Sequence, residues 1–160
     1  ASGQVFPDAL SVGTFASREG YPILLVKKDS IPSQIQNAIK DLDINKTYIA
    51  GGTNTISKST ETKLPSVLER MAGKDRYETS VAIAKSKFKD SKDAFIASGE
   101  EFADALVISP VSGKYNRPTL LASRNKNTNA LVKKYISDTR MHTITAIGGE
   151  KYLPYSVLLI

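Results

Sequence analysis

Residues 95–106 read FIASGEEFADAL, and residues 1–10 read ASGQVFPDAL, so one short phrase occurs twice in the chain. An offset of 96 positions carries the first copy onto the second, and one further residue of shift aligns Gly-Gly at 51–52 with Gly-Gly at 148–149. Agreement at so many separated positions indicates a duplicated unit. The aligned identities are Ala1, Ser2, Gly3, Phe6, Asp8, Ala9, Leu10 and Pro22, which recur as Ala97, Ser98, Gly99, Phe102, Asp104, Ala105, Leu106 and Pro118.

The two copies differ in how much of the unit they contain. The stretch from Leu68 to Phe95 has no counterpart before Ala1. The first copy is therefore expected to lack its opening helix and most of its first strand, and the chain to be a fragment of a longer array. We expect a partial first repeat at residues 1–68 and a nearly complete second repeat at residues 69–160.

The composition is that of a globular protein with a basic surface. Of 160 residues, 41% are apolar and 24% are charged, and 22 Lys and Arg outweigh 16 Asp and Glu to give a net charge of +6. An excess of positive charge favours anionic partners such as nucleic acid or anionic polysaccharide. The absence of cysteine excludes disulfides, thiol nucleophiles and cysteine-ligated metals. No apolar run approaches the roughly 20 residues that a membrane-spanning helix needs.

Within each unit, the sequence pattern alternates between strands and helices. DAFIASG (93–99) is a short apolar run ending in Ser-Gly, which predicts a buried strand followed by a tight loop. FADALVISPVSGKY (102–115) has apolar residues at helical spacing, and its helix is expected to end just before Gly113. RPTLLA (117–122) and its partner YPILLV (21–26) are each expected to form a strand bounded by proline.

The second half of each unit follows the same order. SIPSQIQNAIKDLD (30–43) and NALVKKYISD (129–138) predict amphipathic helices, and KTYIAGG (46–52) and TITAIGG (143–149) predict strands that stop at Gly-Gly. The apolar stripes of these helices are Ile35, Ala38, Ile39 and Leu42, and Leu131, Val132, Tyr135 and Ile136. Strand, helix, strand, helix, strand is α/β order, which implies parallel strands with right-handed crossovers.

The segment ERMAGKDRYETSVAIAKSKF (69–88) predicts a helix with a defined start. Asp75 and Glu78 have the spacing of an N-terminal capping box. Lys74 and Arg76 add positive charge where the loop meets the helix, a place where helix capping requires no cation. These two cations are therefore candidates for binding an external anion.

Several of these motifs, in this order, resemble a known family. RMAGKDRYETSVAIAK (70–85), FIASGEEFADALVISPVSG (95–113), RPTLL (117–121) and AIGG (146–149) closely resemble the cell wall binding type 2 repeat of clostridial surface proteins. Those repeats hold S-layer and S-layer-associated proteins on the wall. The resemblance covers essentially the whole chain, although only about one and two thirds repeats are present.

The resemblance implies both a fold and a function. The fold would be a tandem array of Toprim-like or Rossmann-like α/β repeats, usually three around a pseudo-threefold axis, each with a mainly parallel sheet flanked by helices. The function would be non-covalent attachment to an anionic secondary cell wall polysaccharide, with neighbouring repeats of the same chain as partners. The location would be the cell wall or S-layer of a Gram-positive bacterium. The chain itself would be non-catalytic and need no cofactor or metal.

Residues at the carboxyl ends of the strands are the first candidates for ligand binding, because ligands of open α/β sheets collect there. A glycine lets an anion approach the backbone, or it only permits a turn with positive φ. A serine hydroxyl donates to a ligand, or it caps the backbone of its own loop. The candidates of this kind are Ser2, Gly3, Gly51, Gly52, Ser98, Gly99, Gly148 and Gly149.

The charged candidates fall into two groups. Asp8 and Asp104 either stabilise the first turn of their helices and neighbouring loops, or orient Arg76 or accept sugar hydroxyls. Arg70, Lys74 and Arg76 are the preferred anion contacts, since Arg offers a planar fork and Lys a point charge. Tyr77 either stacks on a sugar face or lies half-buried at the helix start. Repetition strengthens such binding, because tandem sites engage a polymer at high effective concentration.

Two other functions remain as alternatives. A nucleic-acid-binding domain suits the charge, but the basic residues are scattered rather than clustered on one helix. A Toprim-like metal-dependent enzyme would need paired acids near strand ends, and Asp41 and Asp43 fall at the end of a helix instead. His142 is the only histidine, so a metal site or a Ser-His-Asp triad is not expected. The glycine-containing turns GGTNTIS (51–57) and SGEEFADAL (98–106) do not match a nucleotide-binding motif.

Overall fold

A computed structural model describes residues 1–158 as a mixed α/β protein with parallel sheets flanked by helices, as predicted. The helices are α1 (Pro7–Glu19), α2 (Ser33–Asp41), α3 (Lys58–Glu61), α4 (Arg76–Lys87), α5 (Ala103–Lys114), a 3-10 helix (Lys126–Asn129), α6 (Ala130–Thr139) and α7 (Tyr155–Leu158). The strands are β1 (Lys46–Ala50), β2 (Ser66–Met71), β3 (Asp93–Ser98), β4 (Thr119–Ala122) and β5 (Thr143–Ile147).

The second unit contains a parallel sheet of order β4-β3-β5. β3 lies at its centre, pairing Ile96 with Leu120 on one side and Phe95 with Thr145 on the other. The strand is buried from Ala94 onward, as expected of a central parallel strand covered on both faces. The predicted strands FIAS and TLLA are confirmed, and the buried stripe of α6 joins the same core.

The first unit has a smaller sheet, in which β1 pairs in parallel with β2. The prediction that YPILLV forms a strand is wrong, because residues 21–26 make only an isolated bridge between Ser2 and Val26. Val26 N–H donates to Ala1 O (3.0 Å), and Gly3 N–H donates to Val26 O (2.8 Å). A strand needs a continuous ladder, and among residues 1–158 only residues 1–3 form ladder contacts with this segment.

Some further details differ from the sequence analysis. Gly113 lies inside the last turn of α5 rather than after it. The sequence analysis also did not predict the one-turn helix α3 or the strand β2. The expected boundary between residues 68 and 69 lies within β2 and stays a prediction.

Helix α4 begins as its sequence predicts. The Asp75 side chain accepts the N–H of Glu78 (2.8 Å), while the Glu78 carboxylate accepts the N–H of Lys74 (3.0 Å), one residue before the position that a capping box uses. The apolar residues Val81, Ile83, Ala84 and Phe88 are all buried. The helix therefore packs on both units, against α1 and against β4.

Helices α1 and α5 pack side by side, in parallel and in register. The Phe6 and Phe102 rings meet edge to face with centroids 5.9 Å apart. A Cβ at Gly13 would lie 2.8 Å from Ser109 Oγ, and a Cβ at Gly113 would lie 2.7 Å from Ser17 Oγ. Each contact joins two positions that are 96 residues apart, so each residue meets its own counterpart in the other repeat.

Candidate functional site

The two Ser-Gly loops after the strands turn their serines inward. Ser2 and Ser98 are buried, and their hydroxyls accept the N–H groups of Gln4 (3.2 Å) and Glu100 (3.1 Å). The hydroxyls thereby stabilise the turn that leads into the next helix. This geometry favours backbone capping over donation to a ligand.

Gly51 and Gly148 each lie against a carboxylate of the chain itself. Their φ angles are 115° and 110°, a region that favours glycine. A Cβ at Gly51 would collide with the Asp8 carboxylate, and a Cβ at Gly148 would collide with that of Asp104. The space that was considered for an anion is therefore occupied by aspartate at both positions.

Asp8 lies in a buried polar pocket between the two units. Thr55 Oγ1 donates to Asp8 Oδ2 (3.3 Å). Burial raises the pKa of the Asp8 carboxyl above its usual 3.8, while hydrogen bonds from Thr55 and Thr79 and the positive charges of the amino terminus and Arg76 act in the opposite direction. Asp8 therefore fastens the glycine turn and neighbouring loops, one of the roles that its sequence position suggested.

Arg70 and Arg76 both have partners inside the protein. Arg70 donates to Gly51 O (2.8 Å) and to the Glu61 carboxylate (3.0 Å). Arg76 donates to Gly99 O (2.5 Å), and its guanidinium lies 5.6 Å from the centroid of the Phe6 ring. Each guanidinium thus holds loops together, and each has less freedom to bind an external anion than its sequence position suggested.

Lys74 and Tyr77 have opposite environments. Lys74 is exposed in the loop between β2 and α4, where its ammonium is open to solvent. Tyr77 is buried in the core of the second unit, with its ring against the Gly99 backbone. Of the two readings of Tyr77, the structure favours a core tyrosine over one that stacks on a sugar.

Two exposed cations that the sequence analysis did not select occupy equivalent loops. Lys28 N–H donates to Gln4 Oε1 (2.8 Å), and Arg124 N–H donates to Glu100 Oε1 (3.0 Å). The 96-residue offset aligns Lys28 with Arg124, so the repeat itself carried the signal that would have found them. Together with Lys74, they place positive charge after residues 22–26, β2 and β4.

An apolar groove of about 420 Å³ lies in the first unit, between residues 22–26 and β1. Its walls include Phe15, Ile39 and Tyr48, and none of the predicted site residues lines it. In the second unit, β3 occupies the corresponding place between β4 and β5. The groove lies apart from the candidate cations, none of which lines it.

Residues 1–158 offer no support for a metal site or a membrane span. No group of three or more His, Cys, Asp or Glu side chains in this range is placed to hold a metal ion. α2 ends at Asp41, and Asp43 follows in a left-handed turn with φ of 48°. None of the described helices is both long and apolar enough to cross a bilayer.

The chain matches one protein family over nearly its whole length. The sequence profile of Cell wall binding domain 2 (CWB2) matches residues 1–61 and 70–158. Among curated proteins, the chain is 30% identical over 148 residues to the N-acetylmuramoyl-L-alanine amidase LytC of Bacillus subtilis (strain 168), which covers 92% of this chain and 29% of the amidase. It is 34% identical over 124 residues to the amidase enhancer of the same organism, covering 76% of this chain and 17% of the enhancer.

Solved structures of two clostridial proteins have the same fold. Cwp6 from Clostridium difficile matches with a TM-score of 0.80 and 30% identity, and Cwp8 from the same organism with 0.77 and 33%. Each match covers 96% of this chain, but only 25% of Cwp6 and 26% of Cwp8. The chain thus spans less than a third of every relative named here.

Proposed function

This chain belongs to the Cell wall binding domain 2 family, and we propose that it anchors a protein to the wall by binding an anionic secondary cell wall polysaccharide non-covalently. Family membership makes it a cell wall binding module of the cell surface. We propose further that the chain is non-catalytic. The part of LytC and of the amidase enhancer that it matches is under a third of each, so their names give it no activity.

The observation that carries the anionic polymer proposal is the position of the exposed cations. Lys28, Lys74 and Arg124 each follow an extended segment at its carboxyl end, in loops whose backbones are fixed by hydrogen bonds. The carboxyl ends of parallel strands are where ligands of α/β sheets collect. The net charge of +6 adds a long-range attraction toward a polyanion.

The predicted site residues have different parts in this proposal. Lys74 contacts the polymer directly, since its ammonium is exposed. Arg70 and Arg76 position the loops through the carbonyls of Gly51 and Gly99. The remaining predicted residues shape the loops and are Ser2, Gly3, Asp8, Gly52, Tyr77, Ser98, Asp104, Gly148 and Gly149.

We also propose that residues 1–68 and 69–160 are successive repeats of a pseudo-threefold array. The in-register packing of α1 on α5 supports an axis parallel to both helices. Leu10 of α1 is 7% exposed, whereas its counterpart Leu106 of α5 is 55% exposed. A further repeat would cover Leu106 in the way that the second repeat covers Leu10, burying an exposed apolar face.

A direct test is titration of the protein with purified, fluorescently labelled anionic wall polymer, with dextran as a neutral control. We expect saturable binding to the polymer that weakens as salt is added, and none to dextran. Replacing both Lys28 and Lys74 with glutamine should weaken binding about fivefold or more. Lys40→Gln is the matched control, because this exposed lysine lies on α2, near the amino end of β1.

A duplex DNA arm separates this proposal from nucleic-acid binding. DNA presents dense phosphate charge without the sugars of the wall polymer. We expect weak DNA binding that is lost at a lower salt concentration than polymer binding is. Tight binding to DNA and none to the polymer would contradict the proposal.

A further inference from the structure

Three loops of the second unit bring four functional side chains together at the protein surface. Glu100 follows β3, Arg124 follows β4, and Lys151 and Tyr152 follow β5. Arg124 Nε donates to Glu100 Oε2 (2.7 Å), and the Arg124 guanidinium lies 5.6 Å from the centroid of the Tyr152 ring. Lys151 Nζ lies 4.8 Å from that same centroid. A carboxylate, two cations and an aromatic ring thus form one cluster.

Buried residues hold these loops in fixed positions. Leu153 is in the core, and both Tyr152 and Leu153 donate their N–H groups to Gly149 O (3.1 Å each). The side chain of buried Asn129 accepts the N–H of Ser123 and donates to its carbonyl oxygen, at 2.8 Å in each case. The cluster is therefore presented on an ordered backbone, which lowers the entropy cost of binding.

The cluster has unused binding capacity. Arg124 is 51% exposed, and among the described residues only its Nε and backbone N–H have acceptors, both on Glu100. The carboxylate fixes the orientation of the guanidinium and leaves its two terminal nitrogens available to a ligand. The pKa of Glu100 is lowered, chiefly by the N–H bond from the Arg124 backbone, so the carboxylate is charged at neutral pH. A guanidinium fork beside an aromatic face suits a sugar ring that carries an acidic group.

The first unit has the same backbone but lacks this cluster. Thr55 and Ile56 both donate their N–H groups to Gly52 O, as Tyr152 and Leu153 do to Gly149 O. The side chains differ, however, because Thr55 stands in the place of Tyr152 and donates to Asp8. The counterparts of Glu100, Arg124 and Lys151 are Gln4, Lys28 and Asn54. The repeats therefore share a scaffold and differ in what the scaffold presents.

We propose that Glu100, Arg124, Lys151 and Tyr152, here called the tyrosine site, bind a single acidic sugar of the wall polymer. Tyr152 packs on the sugar ring, and Arg124 and Lys151 bind its phosphate or carboxylate. Glu100 is a positioning residue that orients Arg124. The inference rests on the proposed polymer binding. It adds that the second unit recognises the sugar itself, whereas Lys28 of the first unit contributes only charge.

The test is an NMR titration of the amides of residues 149–153 with four probes. The probes are glucose 6-phosphate, glucuronate, glucose and inorganic phosphate. We expect saturable shifts with at least one of the two acidic sugars, and binding at least about tenfold weaker for glucose and for phosphate. Which acidic sugar binds distinguishes a phosphate-bearing polymer from a carboxylate-bearing one. No saturable shift, or phosphate as strong as both sugars, would overturn the inference.

Variants assign the binding to the named side chains. Arg124→Gln and Tyr152→Ala should each weaken binding of the acidic sugar about tenfold, while Tyr152→Phe, which keeps the ring, should stay within about twofold. Lys40→Gln is the control, because this exposed lysine of α2 lies outside both proposed sites, and it should leave sugar binding unchanged. Dispersed amide spectra of each variant establish that it is folded. Equal losses in Arg124→Gln and Lys40→Gln would overturn the inference.

Polymer titration of the same variants separates the two proposals. If the wild type binds polymer and Arg124→Gln binds it equally well, the proposal that the tyrosine site binds the polymer is wrong, and the wall-anchoring proposal stands. If the wild type fails to bind polymer although the acidic sugar shifts residues 149–153, the polymer proposal fails and the site stands as a sugar site.

Discussion

The first and second units start from the same sequence phrase but reach different degrees of order. In the second unit, β3 completes a three-stranded sheet, and Leu121 of β4 is 0% exposed. In the first unit, the counterpart Leu25 is 45% exposed, and its segment makes a single bridge. A similar apolar pattern is therefore not sufficient for a strand, because strand formation depends on a partner from elsewhere in the chain.

The loops show the opposite behaviour, since they are alike in both units. Gly3 N–H donates to Val26 O at 2.8 Å, and Gly99 N–H donates to Ala122 O at 2.9 Å. Gly51 and Gly148 adopt nearly the same positive φ, each beneath an aspartate. Turn chemistry is local, and so it persists where the sheet is smaller.

The largest effect that we expect from one substitution concerns the glycine turns. Gly148→Ala should lower the free energy of unfolding by about 3 kcal/mol, because the new Cβ combines a left-handed φ with a collision against Asp104. Gly149→Ala is the control, since nothing lies within 4 Å of its Cβ position, and it should change stability by less than about 1 kcal/mol. Both are measured by urea denaturation. Equal losses would refute the role of the Asp104 contact.

Hydrogen exchange sharpens the contrast between the two segments. Leu121 N–H is buried and donates to Ser80 Oγ (3.1 Å), whereas Leu25 N–H has no acceptor among residues 1–158. We expect Leu121 to exchange at least about 100-fold more slowly than Leu25. Val26 N–H, which donates to Ala1 O, should exchange more slowly than Leu25. Equal protection of Leu25 and Leu121 would mean that residues 21–26 form a strand in solution.

A smaller effect is expected at the junction between the units. Arg76→Ala removes a hydrogen bond to Gly99 O and the contact with the Phe6 ring, and should cost about 1–2 kcal/mol of unfolding free energy. Exposed Lys74→Ala should change stability by less than about 0.5 kcal/mol but weaken polymer binding two- to threefold. Unchanged stability in Arg76→Ala would contradict a stabilising role of these contacts, and the guanidinium would then be available to bind an anion.

The smallest effect is a dependence on pH at Asp8. The pKa of its carboxyl is raised in the folded protein, so its contribution to stability is complete below 3.8 and is lost as pH rises through the folded value. The amide of an Asp8→Asn variant does not titrate, so the wild type should gain stability relative to this variant as pH falls toward 3.8. Denaturation at several pH values measures this difference. A constant difference would contradict a raised pKa.

The sequence predicted most of the fold because the repeat and its periodicities are local signals. The strand prediction failed at residues 21–26. Their apolar pattern resembles that of β4, but among the described residues only residues 1–3 pair with them. The sequence analysis also missed β2, a short strand after Pro65 in which the apolar residues Val67, Leu68 and Met71 show no strict alternation. No local pattern states that such a segment pairs with β1.

The site was less predictable than the fold, because charge in a sequence does not show which side chains already have partners. Arg70 and Arg76 were selected for their chemistry, but the carbonyls that they bind come from residues 51 and 99. Arg124 and Tyr152 lie in loops 28 residues apart in sequence, and only the parallel order of β4 and β5 around β3 brings them together.

The most direct test of wall anchoring is co-sedimentation of this chain with purified Gram-positive cell walls, before and after chemical removal of their anionic polymer. We predict that the chain sediments with intact walls, that higher salt weakens this binding, and that removal of the polymer abolishes it. Equal sedimentation with intact and polymer-free walls would contradict an anionic polysaccharide as the ligand.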